Sequence, residues 1–509
     1  MCLGAGLSIK SNAAIGRGRM GQVRRRDFMA TAIGGASALA MSSGAFARPG
    51  RAGKPNVVFI LADDMGWGDI GVYNPYSAIP TPNLDRLAGQ GMRFVDMHSA
   101  SAVCTPSRYS ILTGRYPWRS RLKKGVLGGF SPSLIEDGRL TVAGMLKNAG
   151  YYTAGVGKWH LGLGDQDQVD FSKPFHPAPT DHGFDYYYGI PASLDIPPYL
   201  YFENDHAVAA PTDHTPGSGG NHPTGAFWRA GPMMPGFDFQ KVVPTFTDKV
   251  LDIINHQAKQ PNPFFLYYAL PSPHTPWLPL PQYKGRSRAG DYGDYVCETD
   301  AMIGKVLAAL DDNGIADNTL VIFASDNGAF WSERNIDQFG HRANADWRGM
   351  KADVWEAGHR IPCIVKWPGH VSPGVVSKEM ASLADFMATI AAAVGLPLPD
   401  DAAEDSFDLL PAIEQRNTAP IRKTIIDESN DGMMSFREGN WKLELGLGSG
   451  GFTQPKSIDP APNGPKGQLY DLSVDPGERH NLWEAHPDIV ERLTRLLKQA
   501  ESAGRTRPG

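Results

Sequence analysis

Four short apolar runs constrain the fold of this 509-residue chain more than any other feature. Each is an almost continuous series of hydrophobic residues, the pattern of a strand that is buried on both faces of a sheet. Segments with helical character lie between the runs. This alternation predicts an α/β fold with a largely parallel sheet that is covered by helices on both faces. The runs are Asn56–Ala62, Tyr151–Val156, Pro263–Leu270 and Leu320–Ala324.

Polar side chains follow each run at the point where the strand should end. In open α/β sheets, ligands bind beyond the carboxyl ends of the strands. We therefore expect these side chains to meet at one edge of the sheet and to form an active site there. In chain order they are Asp63 and Asp64, Lys158 and His160, His274, and Asp326 and Asn327.

Asp63, Asp64, Asp326 and Asn327 offer only oxygen ligands, which favours Ca²⁺ or Mg²⁺ over zinc. Asp and Asn also end strands and cap helices for local reasons, so either pair alone would be ambiguous. Two such pairs at two strand ends favour a site for a divalent cation.

A cysteine stands at the start of a short predicted helix. Thr105 is expected to cap this helix, and Gly114 is expected to end it in a left-handed conformation. The unpaired N–H groups of the helix start favour an anion beside Cys104, and Arg108 adds a positive charge one turn further on. A thiol in this position is expected to be acidified and reactive. The alternative is a buried structural cysteine followed by an ordinary helix.

The run Cys104-Thr105-Pro106-Ser107-Arg108, followed by Leu112-Thr113-Gly114-Arg115, resembles the signature of the type I sulfatases of the alkaline phosphatase superfamily. In that family the cysteine is converted to formylglycine, so the resemblance implies a formylglycine-generating maturation enzyme as a partner. The blocks that contain Lys158 and Lys351 match the family as well, although Ala357 stands where members usually carry glycine. The resemblance covers almost the whole chain after its N-terminal segment and implies an alkaline phosphatase-like fold.

The resemblance also implies a role for each polar residue. A divalent cation, commonly Ca²⁺ and less often Mg²⁺, is held by the side chains at positions Asp63, Asp64, Cys104, Asp326 and Asn327. The catalytic residues that it implies are Cys104 as the formylglycine nucleophile together with Arg108, Lys158, His160, His274 and Lys351.

The implied reaction is the hydrolysis of a sulfate monoester. The aldehyde hydrate at position 104 attacks sulfur, the alcohol departs in line, and Asp326 assists deprotonation of the attacking hydroxyl. His274, with Lys351, protonates the leaving oxygen. His160 then takes the proton of the second hydroxyl, so that sulfate is expelled and the aldehyde is regenerated.

Residues 164–244 are rich in Pro, Gly, His, Asp and aromatic side chains, and we expect an irregular insert that shapes the substrate pocket. Parts of it resemble arylsulfatase-like enzymes and bacterial sulfatases that act on algal galactans such as carrageenan, which implies a sulfated small molecule or oligosaccharide as substrate. Candidate residues could stack on a sugar ring or hold anionic groups, or could equally be loop core and solvated charges. They are Asp195, Trp228, Arg229, Trp331, His341, Arg342, His359 and Arg360.

Residues 1–47 look like a twin-arginine signal peptide, with Arg24-Arg25-Arg26, a weakly apolar run and Ala45-Phe46-Ala47 as a cleavage site. We expect the twin-arginine translocase to deliver the protein to the periplasm or the cell exterior, with no stable membrane anchor because the run is too polar. A catalytic α/β domain is expected at 51–418. An α+β subdomain with a small antiparallel sheet and a final helix is expected at 419–509.

Composition excludes some classes of protein. The net charge of −5 does not favour nucleic acid as a partner. Four cysteines form no disulfide framework, and we expect Cys297 and Cys363 to be buried thiols.

The sequence alone leaves open three alternatives to a sulfatase that acts on carbohydrates. The first is an arylsulfatase of broad specificity. The second is a phosphonate or phosphate-diester hydrolase on the same scaffold. The third, from another class, is a non-catalytic protein that binds sulfated glycans through the same pocket with an unmodified Cys104.

Overall fold

The computed structural model describes residues 53–219 and 225–508. The predicted signal peptide, residues 1–47, lies outside the described residues and stays a prediction. Within the described ranges, no helix combines the length and the apolar character that crossing a bilayer requires.

Eighteen strands and ten α-helices make up the described part of the chain. The strands are β1 Asn56–Asp63, β2 Met92–Phe94, β3 Met97–His98, β4 Tyr152–Lys158, β5 Tyr186–Ile190, β6 Phe202–Glu203, β7 His206–Ala207, β8 Asp213–Thr215, β9 Gly231–Met233, β10 Phe264–Pro273, β11 Thr319–Ser325, β12 Cys363–Lys366, β13 Val375–Ser377, β14 Ala381–Ser382, β15 Thr424–Glu428, β16 Met434–Glu438, β17 Trp441–Glu444 and β18 Gln468–Asp471. The helices are α1 Pro82–Gly89, α2 Cys104–Thr113, α3 Val142–Asn148, α4 Val242–Gln257, α5 Gly290–Asp312, α6 Glu333–Phe339, α7 Glu356–His359, α8 Phe386–Ala393, α9 Leu410–Ile413 and α10 Pro487–Ser502.

The main sheet has ten strands in the order β13-β2-β12-β11-β1-β10-β4-β5-β6-β7. Strands β11, β1, β10, β4 and β5 are parallel, whereas β12 and the short edge strands β6 and β7 run antiparallel to their neighbours. All four apolar runs predicted as strands lie side by side in this parallel centre, which confirms the predicted fold class.

Helices cover both faces of the sheet because the side chains of each strand alternate between them. On β1, Val57, Phe59 and Leu61 point into a core that they share with α2, α3 and α8. Val58 and Ile60 point into the opposite core, which contains residues of α1, α4 and α5. A strand buried on both faces in this way has to be apolar along its whole length.

Residues 164–244 are more regular than the sequence suggested. Strands β5, β6 and β7 extend the main sheet, and β8 and β9 form a separate ribbon. The aromatic residues of this range supply the reason, since Tyr187 and Phe202 stack at 5.5 Å on the edge of the sheet. Aromatic residues favour strands, and this preference outweighs the many turn residues around them.

A second sheet, β15-β16-β17-β18, is antiparallel throughout. Leu493 and Leu497 of α10 pack against its Phe436 and Leu443. The antiparallel sheet and final helix predicted at the C-terminus are therefore present, while the exact boundary between 51–418 and 419–509 stays a prediction.

A buried arginine connects this C-terminal segment to the main sheet domain. The guanidinium of Arg422 donates to the Asp385 carboxylate at 2.9 Å, to the Asp405 carbonyl at 3.0 Å and to the Tyr116 hydroxyl at 2.8 Å. Arg422 and Asp385 are both fully buried. Because neither charge reaches water, each depends on the other.

We expect Arg422→Met to lower the free energy of unfolding by about 3–5 kcal/mol, because it leaves the Asp385 carboxylate buried and unpaired. Denaturant unfolding followed by fluorescence measures this change. The control is Arg416→Met, which removes an exposed pair with Glu414 and should cost less than about 1 kcal/mol. Equal effects of the two substitutions would contradict the structural role of Arg422.

Candidate active site

The carboxyl ends of the four central parallel strands converge on Cys104, the first residue of α2. Its Sγ lies 3.4 Å from Asp63 Oδ1, at the end of β1, and 3.5 Å from Lys351 Nζ. Asp326 and Asn327 follow β11, His274 follows β10, and Lys158 ends β4. The predicted meeting of polar strand ends is therefore found in the structure.

The start of α2 differs from the sequence expectation. Val103, not Thr105, is the N-cap residue, and Thr105 lies within the first turn. The Thr105 hydroxyl donates to the His160 carbonyl at 2.9 Å instead, so its polar group holds a neighbouring strand end in place. Gly114 ends the helix with φ 65°, as predicted.

Three buried cations face three buried carboxylates around Cys104. The pairs are Lys158 with Asp63 at 2.5 Å, Lys351 with Asp64 at 2.7 Å, and Arg108 with Asp326 at 2.8 Å. Arg108 also donates to the Lys158 carbonyl at 2.8 Å, which ties two strand ends together. Removing so many charges from water is costly, so each pair must be closely matched.

The charge balance shifts the two central carboxyl groups in opposite directions. Burial by itself would raise the pKa of Asp63, but Lys158 and the neighbouring cations hold that pKa well below its ordinary value. Burial and the nearby Asp63 raise the pKa of Asp326 to about 6, although Arg108 opposes this. Asp63 is therefore the more firmly ionised of the two.

The oxygen atoms of the site fit a hard divalent cation. Ligand atoms of Asp63, Asp64, Cys104 and His274 all lie within 4.8 Å of one another. The Oδ1 atom of Asn327 is buried without a hydrogen-bond partner, while its Nδ2 donates to Asp64 Oδ1 at 2.7 Å. An unpartnered amide oxygen beside two carboxylates is a donor set of the kind that Ca²⁺ and Mg²⁺ prefer. Sequence reasoning had not placed His274 this close to these donors.

Two histidines flank the cysteine with different surroundings. Burial, Lys158 and Arg108 hold the pKa of His160 well below its ordinary value, so this imidazole is neutral at pH 7. Its Nε2 bonds to the Leu127 carbonyl at 2.8 Å, and its Nδ1 is buried without a partner. His274 bonds through Nδ1 to the Thr275 carbonyl at 2.7 Å, which leaves Nε2 facing Asp64 at 3.7 Å.

Three residues of the site region have positive φ angles although none is glycine. They are Asp64 at 66°, His160 at 56° and Ala352, next to Lys351, at 79°. Such conformations are disfavoured for residues with a Cβ and concentrate at functional sites. The strained residues are those that orient the Asp64 carboxylate, the His160 imidazole and the Lys351 amine toward the same site.

The thiol itself is not acidified, which corrects the sequence prediction. Burial and the charge of Asp63 raise the pKa of Cys104 far above its ordinary value, and Lys158 and Lys351 only partly oppose this. The start of α2 does present N–H groups, but burial of the thiol outweighs their effect, and the Asp63 carboxylate raises the pKa of Cys104 further. An unmodified Cys104 is therefore a poor nucleophile.

A cavity of about 160 Å³ opens onto Cys104. Of the predicted substrate-binding residues, Asp195 and Arg229 line it, and their side chains form an ion pair. Trp331 and Arg342 line a second, neighbouring cavity.

The other four candidates are held by partners inside the protein and do not line the cavity. Trp228 packs on Phe239 and donates to Thr215. His341 bonds to Asp69, His359 to His98, and Arg360 to Glu356. The sequence could not distinguish these buried polar contacts from ligand-binding groups.

Several residues that line the cavity were not found from the sequence. Aromatic side chains form much of its wall, and Asn430 and Phe452 come from the C-terminal segment. No local pattern marks these residues, because they reach the site from α5 and from loops that are distant in the chain. The aromatic residues of the wall are Trp277, Tyr292, Phe330 and Phe452.

Comparison with known proteins identifies the scaffold. The profile of the sulfatase family matches residues 55–396. The chain is 34% identical to the N-acetylgalactosamine-6-O-sulfatase of Bacteroides thetaiotaomicron over 485 residues, which are 88% of this chain and 93% of that protein. It is also 34% identical to arylsulfatase A of Homo sapiens over 481 residues, 90% of this chain and 89% of that protein.

The chain belongs to the sulfatase family. It is therefore a sulfuric ester hydrolase, and the resemblance noted in its sequence is confirmed. A solved sulfatase structure from Bacteroides thetaiotaomicron, from work on the metabolism of multiple glycosaminoglycans, aligns with a TM-score of 0.77 at 33% identity. That alignment covers 88% of this sulfatase and 100% of the solved chain, which confirms the alkaline phosphatase-like fold.

In protein produced without modification of Cys104, we expect its thiol to resist alkylation. Its raised pKa leaves a far smaller thiolate fraction at pH 8 than an ordinary cysteine has. Cys297 and Cys363 are buried free thiols as well, as predicted, so the folded protein should react slowly at all three described positions. Counting alkylated cysteines by mass spectrometry in the folded and the urea-unfolded protein measures this. Fast labelling of folded Cys104 would contradict the result.

Proposed function

We propose that this sulfatase hydrolyses sulfate monoesters of carbohydrates, using formylglycine derived from Cys104 and a bound divalent cation, with Ca²⁺ favoured over Mg²⁺. The observation that supports this best is the position of Cys104. Its Sγ lies beside the carboxylates of Asp63 and Asp64 and 3.5 Å from Lys351 Nζ, and the residue lines a cavity. Because the chain belongs to the sulfatase family, we assign the hydrolysis of sulfate esters to this arrangement.

The groups absent from the structure would supply two things. A hydrated aldehyde at position 104 provides an oxygen nucleophile, and a divalent cation provides positive charge toward the sulfuryl oxygens. Asp63, Asp64, Asp326 and Asn327 would hold the cation. The remaining chemistry falls to side chains of the chain itself.

The cationic side chains bind and orient the ester. Lys351 Nζ lies close to Cys104, and Lys158 and Arg108 extend the positive field behind it. Preorganised charges in a site that excludes water stabilise developing negative charge better than solvent does. In our proposal Lys351, which lines the cavity, holds the sulfuryl oxygens, and Lys158 and Arg108 supply positive charge from behind it.

The two histidines move protons at opposite sides of the cysteine. His274 lines the cavity where the alcohol would leave, and its Nε2 is the atom that donates a proton to that oxygen. His160 is neutral and has an unpartnered Nδ1, so it can accept a proton from the group at position 104. In this assignment His274 acts as the acid and His160 acts as the base, as the surroundings of each imidazole allow.

The volume of the cavity limits how much of a substrate it can enclose. A volume of about 160 Å³ is well below the roughly 300–1,000 Å³ of pockets that enclose drug-sized ligands. It suits one sulfated unit, with any further part of the molecule outside. Since a relative at 34% identity is named an N-acetylgalactosamine-6-O-sulfatase, N-acetylgalactosamine 6-sulfate is the first candidate, and sulfated galactans such as carrageenan are the second.

Replacing Cys104 by Ala should abolish turnover of N-acetylgalactosamine 6-sulfate and of an aryl sulfate while the protein stays folded. The matched control, Cys297→Ala, removes another buried thiol and should retain activity. Mass spectrometry of the Cys104 peptide should show a mass lowered by the difference between a thiol and an aldehyde side chain. Activity in the Cys104 variant, or an active enzyme with an intact thiol, would refute the proposal.

The same assay separates the alternatives. Faster turnover of an aryl phosphonate or a phosphate diester than of any sulfate would favour the second kind of hydrolase. Activity on aryl sulfates alone would favour a broad arylsulfatase. Binding of sulfated sugars without turnover, in protein whose Cys104 keeps its thiol although the host has the maturation enzyme, would favour a binding protein.

We expect Asn327→Ala to weaken Ca²⁺ binding at least about tenfold, because it removes a neutral oxygen ligand and leaves every charge of the site in place. The rise in melting temperature with added Ca²⁺ reports this affinity, since a ligand that binds only the folded state stabilises it. Asn440→Ala, an exposed substitution in the hairpin between β16 and β17, is the control and should keep the wild-type response. Identical Ca²⁺ responses in both variants would contradict a role for Asn327.

A further inference from the structure

A second cavity, of about 590 Å³, adjoins the one that contains Cys104. Phe452 lines both cavities. Two other chain segments also contribute consecutive residues, Phe330 and Lys351 to the first cavity and Trp331 and Met350 to the second. We call the second cavity the arginine cleft. Three segments thus form the partition between it and the catalytic cavity.

Positive charge dominates this cleft. Four arginines line it and only two acidic residues do, which are Glu333 and Asp346. Arg342 lies 3.6 Å from Asp346, but both side chains are exposed, so this pair contributes little. The arginines are Arg334, Arg342, Arg348 and Arg479.

Arg348 is held rigidly with donors to spare. Its guanidinium stacks on Trp355 at 3.6 Å, and Nη1 donates to the Tyr470 hydroxyl at 3.1 Å and to the Glu478 carbonyl at 2.6 Å. Within residues 53–219 and 225–508, its Nε and Nη2 form no hydrogen bond or ion pair with another side chain or carbonyl. A guanidinium fixed in this way is preorganised for the oxygens of an anion.

Arg334 and Arg479 complete the cationic rim. Both are exposed, and among the described residues neither side chain forms an ion pair. Arg334 lies on α6, and Arg479 follows Glu478 in the loop after β18. Two exposed cations and a fixed one in the same cleft suit a ligand that carries several anionic groups.

Aromatic side chains supply the remaining surface. Trp347 lines the cleft half-buried, Trp355 lies buried beneath the Arg348 guanidinium, and Phe452, 38% exposed, packs edge-on against Phe330 at the partition. Flat apolar faces between cationic groups are complementary to sugar rings that carry sulfate or carboxylate groups. A neutral chain would leave the arginines without partners.

We propose that the arginine cleft binds the anionic continuation of an oligosaccharide whose sulfated unit occupies the catalytic cavity, with Phe452 at the junction. This deepens the proposed function and rests on it. The catalytic cavity holds one unit, whereas the cleft, with more than three times its volume, holds the units that follow. The substrate class is accordingly a polyanionic oligosaccharide.

The test compares two substrates in three proteins. The double variant Arg334→Ala/Arg479→Ala should lower kcat/KM for a sulfated tetrasaccharide about fivefold more than it lowers kcat/KM for the sulfated monosaccharide. The loss should appear in KM and should shrink as ionic strength rises, since exposed charges are screened by salt. Arg495→Ala, an exposed arginine of α10 outside both cavities, is the matched control and should leave the ratio of the two substrates unchanged.

Binding without turnover separates this inference from the proposed function. In the Cys104→Ala protein, calorimetry should show tighter binding of the tetrasaccharide than of the monosaccharide, and the arginine variants should remove that difference. If the wild-type enzyme cleaves no sulfate ester yet the difference in binding is present, the proposed function fails and the cleft assignment stands. If the enzyme is active and both substrates respond equally to the arginine variants, the cleft assignment is overturned.

Discussion

The mutual neutralisation of three carboxylates and three cations at one edge of the main sheet is the constraint on which the site depends. Asp63, Asp64 and Asp326 lie at strand ends that face one another, and without partners their charges would oppose folding. All three cations come from elements outside the two strands, β1 and β11, that carry the carboxylates. The sheet, α2 and the loop that carries Lys351 therefore have to assemble together for any one of them to be stable.

The C-terminal sheet takes part in this assembly. Lys442 of β17 lies 2.7 Å from Glu478 and 3.2 Å from Glu356, the first residue of α7, and all three are buried. Asp353, two residues after Lys351, accepts the N–H groups of Phe452 and Thr453 at 2.7 and 3.0 Å. The loop between β17 and β18 thus holds the segment that carries Lys351 and places Phe452 at the cavity that Lys351 lines. It shapes both the catalytic cavity and the arginine cleft.

Several residues show which positions could be brought together from the sequence and which contacts could not be foreseen. Asp63, Asp326 and His274 were found because an apolar strand that stops at a polar residue is a local pattern, and parallel strands place those ends together. His359 and Arg360 were taken for substrate ligands, yet they are buried in contact with His98 and Glu356. The sequence around a polar loop residue is the same whether the residue binds substrate or contacts a buried side chain. Only its partner in the folded protein shows which role it has.

Two features of the sequence were sufficient without the structure. The order of apolar runs determined the α/β sheet and the edge of that sheet where the polar residues meet. The stretch around Cys104 determined the family. These are consequences of hydrophobic periodicity and of a long motif, both of which are local in the chain. Only the tertiary structure decided that the Cys104 thiol has a raised pKa, that His160 is neutral, and that Phe452 lines the pocket. Burial and charge pairing produce those properties, and they depend on residues of separate elements, such as Asp63, Lys158 and Lys351, that meet only after folding.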